Sequence, residues 1–211
     1  MIDSHCHLDA LDDPAAAIDA GLKAIVTVGT TLESDRAAVR LAAEHAGVWA
    51  VVGVHPNNAS EADDAEVRRL VSGLAAAPRV VGVGETGFDT HWQDESLQSQ
   101  RRAFDWHAQL AAQLDKALVL HVRDAQGRDD ASRQAARAIR EAGHRRGILH
   151  CFIGNRELLE AGLALGWMVS FAGNLTFKNA GMLREAALEV PSDRLLVESV
   201  SPYLIPEPRR G

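Results

Sequence analysis

Residues 80–85 read VVGVGE, a run of short apolar side chains that ends on a carboxylate. Runs of about four to eight apolar, β-branched residues bounded by Gly, Pro or Asn are typical of strands buried on both faces, because half-exposed strands alternate apolar with polar residues. Burial on both faces predicts a parallel sheet. The runs that fit this pattern are Met1 to His7, Ala24 to Gly29, Val48 to His55, Val80 to Gly87, Ala117 to Arg123, Gly147 to Phe152, Trp167 to Gly173 and Arg194 to Val200.

Segments with helical spacing separate these predicted strands. Several begin at a capping residue such as Asn155 or Asn179, and several end at a glycine such as Gly143. Strand and helix therefore alternate along the chain. The predicted helices are Leu32 to Ala46, Ala65 to Ala76, Leu97 to Leu114, Asp130 to Ala142, Glu157 to Leu165 and Ala180 to Glu189.

Eight strands, each followed by a helical return, can close into an α/β barrel of the (β/α)8 TIM type. Such a barrel places its chemistry where strands end and the following loops begin. An open doubly wound sheet is the alternative, but its ligands gather at one switch point instead of coming from the first, fourth, fifth and sixth strands together. Those four strands carry the candidate metal ligands at or near their ends: His5, His7, Glu85, His121 and His150.

The length of 211 residues and the 46% apolar composition predict one domain over residues 1–211. A TIM barrel typically needs about 250 residues, so we expect something to be missing. Ser201 to Gly211 contains Pro202, Pro206 and Pro208 and cannot form a helix. We therefore expect the last covering helix of the barrel to be absent.

The charge and the start of the chain limit the partners. A net charge of −7 argues against a broad surface for duplex nucleic acid, although a small site acting on chain ends stays open. Met1 leads straight into the first strand, and no apolar run approaches about 18 residues, so we expect a cytoplasmic protein with no membrane partner. By strand alternation, Cys6 and Cys151 should point away from the neighbouring histidines and fill the helical shell.

Four histidines on three strands indicate a metal site. His5 and His7 lie two residues apart on one strand, so both imidazoles share a face, about 6.5 to 7 Å apart at the backbone. A lone histidine on an apolar strand is more often a satisfied core residue. Histidine is costly to bury without partners, however, and His121 and His150 should reach the same rim, which packing explains poorly.

Glu85 follows a strand too apolar to hold a carboxylate unless something positive neutralises it. If two ions occupy the rim, Glu85 can bridge them, with His5 and His7 on one side and His121 and His150 on the other. Imidazole with carboxylate suits Zn²⁺, Mn²⁺ or Fe²⁺, whereas Mg²⁺ prefers oxygen, so the ligands do not select the metal. The predicted reaction class is metal-assisted hydrolysis, with Glu85 as a catalytic residue.

Two further residues are placed for substrate binding. His55 ends the third strand, and Arg123 lies two residues beyond His121, hence on the same face, where its planar guanidinium could hold a phosphate oxygen. The alternatives are that His55 caps a turn and that Arg123 pairs with Asp89 or Asp124.

With these residues identified, the sequence resembles the TatD family of metal-dependent deoxyribonucleases over its whole length. The resemblance implies a barrel that binds two divalent ions, Mg²⁺, Mn²⁺ or Zn²⁺, and hydrolyses DNA phosphodiesters, commonly from a 3′ end. The substrate would be single-stranded DNA or a 3′ end, and we expect a monomer. The matching motifs are Ile2 to Asp9, Gly53 to Pro56, Gly84 to Asp89, His121 to Ala125, His150 to Phe152, Ser170 to Gly173, Thr176 to Asn179, Ser201 to Leu204 and the Arg-Gly pair at Arg210 and Gly211.

One position departs from the family. The family usually has Glu-Thr-Asp before its Pro-Tyr motif, whereas this chain has Glu198-Ser199-Val200. Val200 thus stands where the family's aspartate would bind metal and help to activate water, and we expect one of the two ion positions to be weak. Glu198 shares the face of Val200 on an extended strand but lies about 6.5 to 7 Å deeper, so we expect it not to substitute.

Three functions follow. The first is a deoxyribonuclease, most simply a 3′-5′ exonuclease, which Arg123 and Lys178 favour. The second is a metal-dependent amide or ester hydrolase, because the same ions can polarise a carbonyl oxygen or a phosphoryl oxygen. The third is a catalytically impaired homologue, which Val200 favours.

Overall fold

The computed structural model describes residues 1–92 and 94–209. Its sheet contains eight strands in the order of the sequence, and every neighbouring pair is parallel. The predicted parallel sheet is confirmed; the Arg-Gly pair at Arg210 and Gly211 lies outside the described residues. The strands are β1 (Ile2–Cys6), β2 (Ala24–Val28), β3 (Val48–Val52), β4 (Val80–Asp89), β5 (Ala117–Arg123), β6 (Gly147–Leu149), β7 (Met168–Phe171) and β8 (Leu195–Val197).

The helices lie between the strands as predicted, with one addition. The short helix α1 follows β1 and was not predicted, although Asp13 caps it by accepting a hydrogen bond from the Ala16 amide, and Pro14 is its first residue. The helices are α1 (Pro14–Ile18), α2 (Leu32–Glu44), α3 (Ala65–Ala75), α4 (Leu97–Leu114), α5 (Asp130–Ala142), α6 (Arg156–Ala164) and α7 (Gly181–Glu189).

Hydrogen bonds near the carboxyl ends of β1 and β8 bring the two edges of the sheet together. The Val200 amide donates to the His5 carbonyl oxygen at 2.9 Å, and the His7 amide donates to the Ser201 carbonyl oxygen at 2.8 Å. Deeper in the sheet, the Ser4 hydroxyl donates to the Val197 carbonyl oxygen at 2.9 Å. The strands therefore form a nearly closed TIM-type barrel. The strand order never reverses, so the doubly wound alternative is wrong.

The apolar core has two layers, as the alternation of β5 shows. Leu118 and Leu120 are buried in the large cluster that joins the strands to the helices. Val119 instead packs with Val28 and Val51 in a separate cluster. His121 lies two residues beyond Val119, so its side chain is on the same inward face of β5, at the rim of the barrel.

Residues 198–209, the described part of the chain beyond β8, contain no helix, as the prolines predict. The outer face of the β1–β8 edge is correspondingly open. Ile2 is 48% exposed and Val197 is 45% exposed. Within the described ranges, no helix is long and apolar enough to cross a membrane.

Candidate metal centre at the barrel rim

The predicted ligands converge on Glu85, which is almost completely buried. The side chains of four histidines lie close to its carboxylate. The nearest nitrogen-to-oxygen distances are 2.7 Å for His121, 3.3 Å for His5, 3.3 Å for His150 and 3.7 Å for His55. Strands β1, β4, β5 and β6 and the loop after β3 therefore meet at one carboxylate, at the base of a cavity of about 800 Å³.

Close approach of three strands positions Glu85. A Cβ atom on Gly53 would lie 2.7 Å from the Gly84 carbonyl carbon, and one on Gly84 would lie 2.5 Å from the Val119 carbonyl oxygen. Gly84 also has a φ of +142°, a conformation that side chains rarely adopt. Glycine at these two positions lets β3, β4 and β5 pack tightly beneath the carboxylate.

His5 and His7 share one face of β1, as the two-residue spacing predicts. Their ring centroids are 5.1 Å apart, and with Glu85 they form a group whose ligand atoms all lie within 4.8 Å of one another. His7 Nδ1 lies 2.9 Å from the Val28 carbonyl oxygen, to which it donates. This hydrogen bond fixes the tautomer and leaves the lone pair of Nε2 free to bind a metal ion.

His121 lies between two carboxylates. Its Nδ1 is 2.7 Å from Glu85 Oε1, and its Nε2 is 3.1 Å from Asp89 Oδ2. The sequence interpretation treated Asp89 only as a partner for Arg123. Its actual position follows from alternation, because Glu85 and Asp89 lie four residues apart on one face of β4.

His55 caps a turn, which is one of the two roles that the sequence allows, and it also reaches the ligand cluster. Its Nδ1 caps the following turn by accepting from the Asn57 amide at 3.2 Å. Its Nε2 faces Glu85, and His55, Glu85 and His121 form a second group of converging ligand atoms. A histidine assigned to substrate is therefore also within reach of an ion.

Glu198 lies in the site, and the expectation that it sits too deep is wrong. Its Oε1 is 2.9 Å from His150 Nδ1 and accepts from the Cys151 amide at 2.7 Å. The expectation assumed an extended strand to residue 200. Strand β8 ends at Val197, and Val200 has a φ of +54°, so the chain leaves the strand before the alternation reaches the rim.

Position 200 nevertheless faces the cavity. Asp3 holds the segment, since its Oδ1 accepts from the Ser199 amide at 2.9 Å and its Oδ2 from the Ser199 hydroxyl at 2.5 Å. Val200 is 5% exposed and lines the cavity wall. The cavity wall is therefore apolar at this position.

Burial and pairing shift the pKa values of the site histidines in opposite directions. Burial lowers the pKa of His5 to about 4, with His150 adding to the effect, and lowers the pKa of His55 to about 3. Although burial also acts on His150, the carboxylates of Glu198 and Glu85 raise its pKa to about 10. Despite its burial, Glu85 has a pKa well below its usual value because of the surrounding histidines. His5 and His55 are therefore neutral at pH 7 and can offer a lone pair.

The donor set fits a divalent cation. Both ring nitrogens of His5 are buried without a well-oriented hydrogen bond to the described chain, although Nε2 lies near Glu85, and Glu198 Oε2 also has no hydrogen-bond partner there. Buried polar atoms are rarely left this way. A third group of converging ligand atoms joins His5, His150 and Glu198. Mixed imidazole and carboxylate donors suit Zn²⁺, Mn²⁺ or Fe²⁺.

Arg123 is exposed and available at the mouth of the cavity. Neither predicted partner holds it, because Asp89 pairs with His121, and Asp124 Oδ1 accepts from the Ala131 amide at 2.8 Å. Its guanidinium carbon lies 5.5 Å from the ring centroid of Trp92. It is the only arginine or lysine among the described residues that line the cavity.

The two cysteines differ from each other. Cys6 is buried in the core, as predicted. Cys151 instead lines the cavity and has a φ of +44°, so strand alternation does not apply to it. Both are free thiols.

Comparisons with known proteins show which family this chain resembles. A family described as "TatD related DNase" matches residues 2–211. The uncharacterized metal-dependent hydrolase YcfH of Escherichia coli K12 is 40% identical, over the whole of this chain and 81% of its own length. The 3′-5′ ssDNA/RNA exonuclease TatD of the same organism is 33% identical over 94% of this chain and 75% of its own.

Among solved structures, the E. coli TatD homologue YJJV has the same fold, with a TM-score of 0.87 at 24% identity over 100% of this chain and 83% of its own. The match over nearly every residue, with the converging histidines around Glu85, identifies the chain as a member of the TatD-related DNase family.

Proposed function

We propose that the chain is a divalent-metal-dependent nuclease that removes nucleotides from the 3′ ends of single-stranded DNA. The convergence of His5, His7, His121 and His150 on the buried Glu85 carries the proposal, because so many ligand atoms around one carboxylate are costly without a cation. The proposed substrate is inferred from similarity, because the E. coli TatD relative is described as a 3′-5′ ssDNA/RNA exonuclease.

The residues would hold two ions on either side of Glu85. His5 and His7 would bind one ion, and His121 with His150 the other. Two further groups of converging ligand atoms add His55, beside Glu85 and His121, and Glu198, beside His5 and His150. When bound, such ions polarise a phosphoryl oxygen and lower the pKa of a coordinated water. A carboxylate shared by two cations offsets their charge in a poorly solvated rim.

The other cavity residues would orient the substrate. The Arg123 guanidinium is exposed, unpaired by any described carboxylate and positioned at the mouth, where it can hold a phosphate oxygen bidentately. Neutral His55, whose Nδ1 is fixed by the Asn57 amide, presents Nε2 to the cavity as a ligand or a hydrogen-bonding group. Val200 can neither accept a proton nor bind a metal, which limits the first ion position.

Electrophoresis of single-stranded DNA labelled at the 3′ or at the 5′ end tests the proposal. In Mn²⁺, the 3′ label should be released first as a mononucleotide, whereas the 5′-labelled strand should shorten stepwise. Glu85→Gln and EDTA are the controls and should abolish both patterns. Intact DNA in Mn²⁺ and in Zn²⁺ would refute nuclease activity.

A metal-dependent amide or ester hydrolase is the second candidate, because ions held at the same rim would polarise a carbonyl oxygen as well as a phosphoryl oxygen. Parallel assays with an anilide and a carboxylate ester, with and without Mn²⁺, distinguish it. Metal-dependent turnover of either of these, with intact DNA, would make it the better assignment. Metal binding without turnover of any substrate would support the impaired homologue.

A further inference from the structure

Both strongly exposed aromatic side chains of the described chain lie at one cavity. Trp92 and Tyr203 are each 58% exposed, and both line the cavity above Glu85. Tyr203 packs edge-on against His7 with ring centroids 5.7 Å apart, whereas Trp92 lies beside Arg123. Trp92 follows β4 and Tyr203 follows β8, and in a barrel of eight sequential strands these two ends lie on opposite sides of the mouth.

The backbone that carries Trp92 is fixed to the metal centre through one carboxylate. Asp89 Oδ1 accepts from the His91 amide at 2.7 Å and from the Trp92 amide at 3.1 Å. Its other oxygen lies 3.1 Å from His121 Nε2. The backbone that carries the indole is thus held at a set position relative to a candidate ligand, and the indole itself is open to solvent.

The guanidinium of Arg123 lies on the same side of the mouth. The Thr90 amide donates to the Arg123 carbonyl oxygen at 2.9 Å, which joins the loop after β4 to the end of β5. The guanidinium of Arg123, which pairs with no described carboxylate, lies over one face of the exposed indole. The two side chains supply what binds single strands: the other aromatic face for a base and a positive charge for the backbone.

Resting on the proposed function, we propose that Trp92 is a stacking platform for an unpaired base next to the phosphodiester to be cleaved, with Arg123 holding the adjoining phosphate. A base inside a duplex has both faces covered by its neighbours, whereas a base at a single-stranded end can stack on an indole. The platform therefore selects single-stranded nucleic acid. Because every base has a π face, it does so without strong sequence preference.

Binding without turnover tests the platform directly. Fluorescence anisotropy with 5′-fluorescein oligothymidylate in EDTA would give the Kd of the full chain and its variants. Trp92→Leu should weaken binding roughly 5- to 100-fold, the effect of losing one stacked base, and Trp92→Phe should restore most of it. Trp49→Leu is the matched control, since Arg79 lies 4.3 Å from the Trp49 ring at the opposite end of the barrel, and it should leave Kd unchanged.

Abasic oligonucleotides locate the stacked base. An abasic sugar is placed in turn at each of the last three positions of the 3′ end. At one position it should weaken binding to the parent as much as Trp92→Leu does, and it should have no further effect on that variant, because both changes remove the same contact.

The outcomes separate this inference from the proposed function. Non-additivity at one position, with rescue by phenylalanine, supports the platform. If the parent releases 3′ mononucleotides but Trp92→Leu binds as tightly as the parent, or if the effects add at every position, Trp92 only packs against Arg123 and this inference is wrong. If the parent neither binds nor cleaves single strands, the proposed function and this inference both fail.

Discussion

The two halves of the rim are built differently. In the β4–β6 half, which comprises Glu85, Asp89, His121 and His150, each histidine lies between two carboxylates: Glu85 and Asp89 for His121, and Glu85 and Glu198 for His150. In the seam half, where β1 meets the end of β8, His7 and Val200 line the cavity, and neither ring nitrogen of His5 has a well-oriented hydrogen bond within the described chain. Histidines therefore lie in both halves, whereas only those of the β4–β6 half have a carboxylate beside each ring nitrogen.

Glu85 belongs to both halves, so its removal should have the largest effect. Glu85→Ala leaves clustered histidines with no shared carboxylate, and metal should be lost from both positions. The affinity should fall by more than the roughly 10- to 100-fold that removal of an outer partner costs. Elemental analysis after dialysis counts the ions, and circular dichroism should show that the metal-free barrel persists.

Glu185→Ala, on the exposed surface of α7, is the control for that experiment. If Glu85→Ala retained two ions at unchanged affinity, the bridging assignment would be wrong.

Val200→Asp should make the halves alike. The parent should hold one ion tightly, in the β4–β6 half, and the variant two, because the new carboxylate completes the seam half. Hydrolysis of 3′-labelled DNA should rise about 10²- to 10⁴-fold, the range of general-base assistance. Ion counting and turnover at equal folded concentration measure the two effects.

Val200→Asn is the matched control for the backbone. Val200 has a φ of +54°, which asparagine and aspartate tolerate better than a β-branched residue. A gain in thermal stability shared by both variants would be conformational, whereas a second ion in the aspartate variant alone would be due to its charge. Equal ion counts and rates in the parent and both variants would contradict the prediction.

Glu198→Gln tests whether the negative charge of Glu198, beyond β8, strengthens metal binding by His150 in the β4–β6 half. Glutamine keeps an oxygen for the Cys151 amide but removes the charge beside His150, so metal affinity should fall about 10- to 100-fold, the usual cost of losing a carboxylate that orients a metal-binding histidine. Competition with a chelator measures this. A larger loss, equal to that of Glu85→Ala, would show that Glu198 itself binds the ion and replaces the carboxylate missing at position 200.

The smallest expected effect concerns a buried histidine outside the rim, His107, and is measured as the pH dependence of folding stability in the metal-free protein. Burial lowers the pKa of His107 to about 4; its Nε2 accepts from the Val54 amide and its Nδ1 donates to the Ala103 carbonyl oxygen. Because the unfolded chain binds a proton more readily, this contribution to stability is complete above pH 6.5 and is lost as pH falls toward 4.

The loss should reach about 3 kcal/mol, since one unit of pKa corresponds to about 1.4 kcal/mol. Urea unfolding of the parent and of His107→Gln between pH 7.5 and 4.5 checks it, and the variant should have the flatter dependence. Parallel curves would exclude His107 as the source.

The strands and most of the ligands could be predicted because each depends on a local pattern. Apolar runs mark buried strands, and a histidine or glutamate at the end of a run is costly to bury without a partner, so His5, Glu85 and His121 were identifiable from sequence alone. Asp89 was also within reach, because it shares the face of Glu85 on β4. The predicted strand ended at Gly87, two residues before Asp89.

Glu198 could not be placed in this way, because its position depends on where β8 ends. Alternation holds only while the chain stays extended, and the left-handed conformation at Val200 is set by tertiary hydrogen bonds from Asp3 and β1. His107 gave no signal either, since a histidine in a helix has no distinguishing pattern until its partner, the Val54 amide, is known. Tertiary contacts decided both positions.

The closure of the barrel and the integrity of the seam half share two backbone amides. Val200 and His7 donate the backbone hydrogen bonds that join the two edges, and each lies at the candidate ligands. The side chains of Ser4 and Asp3 add hydrogen bonds across the same edge. Any local opening of this edge would carry His5 and His7 away from Glu85. Amide hydrogen exchange at these two positions would therefore report, residue by residue, how often the site comes apart, and an ion bound there should slow that exchange by holding the edge closed.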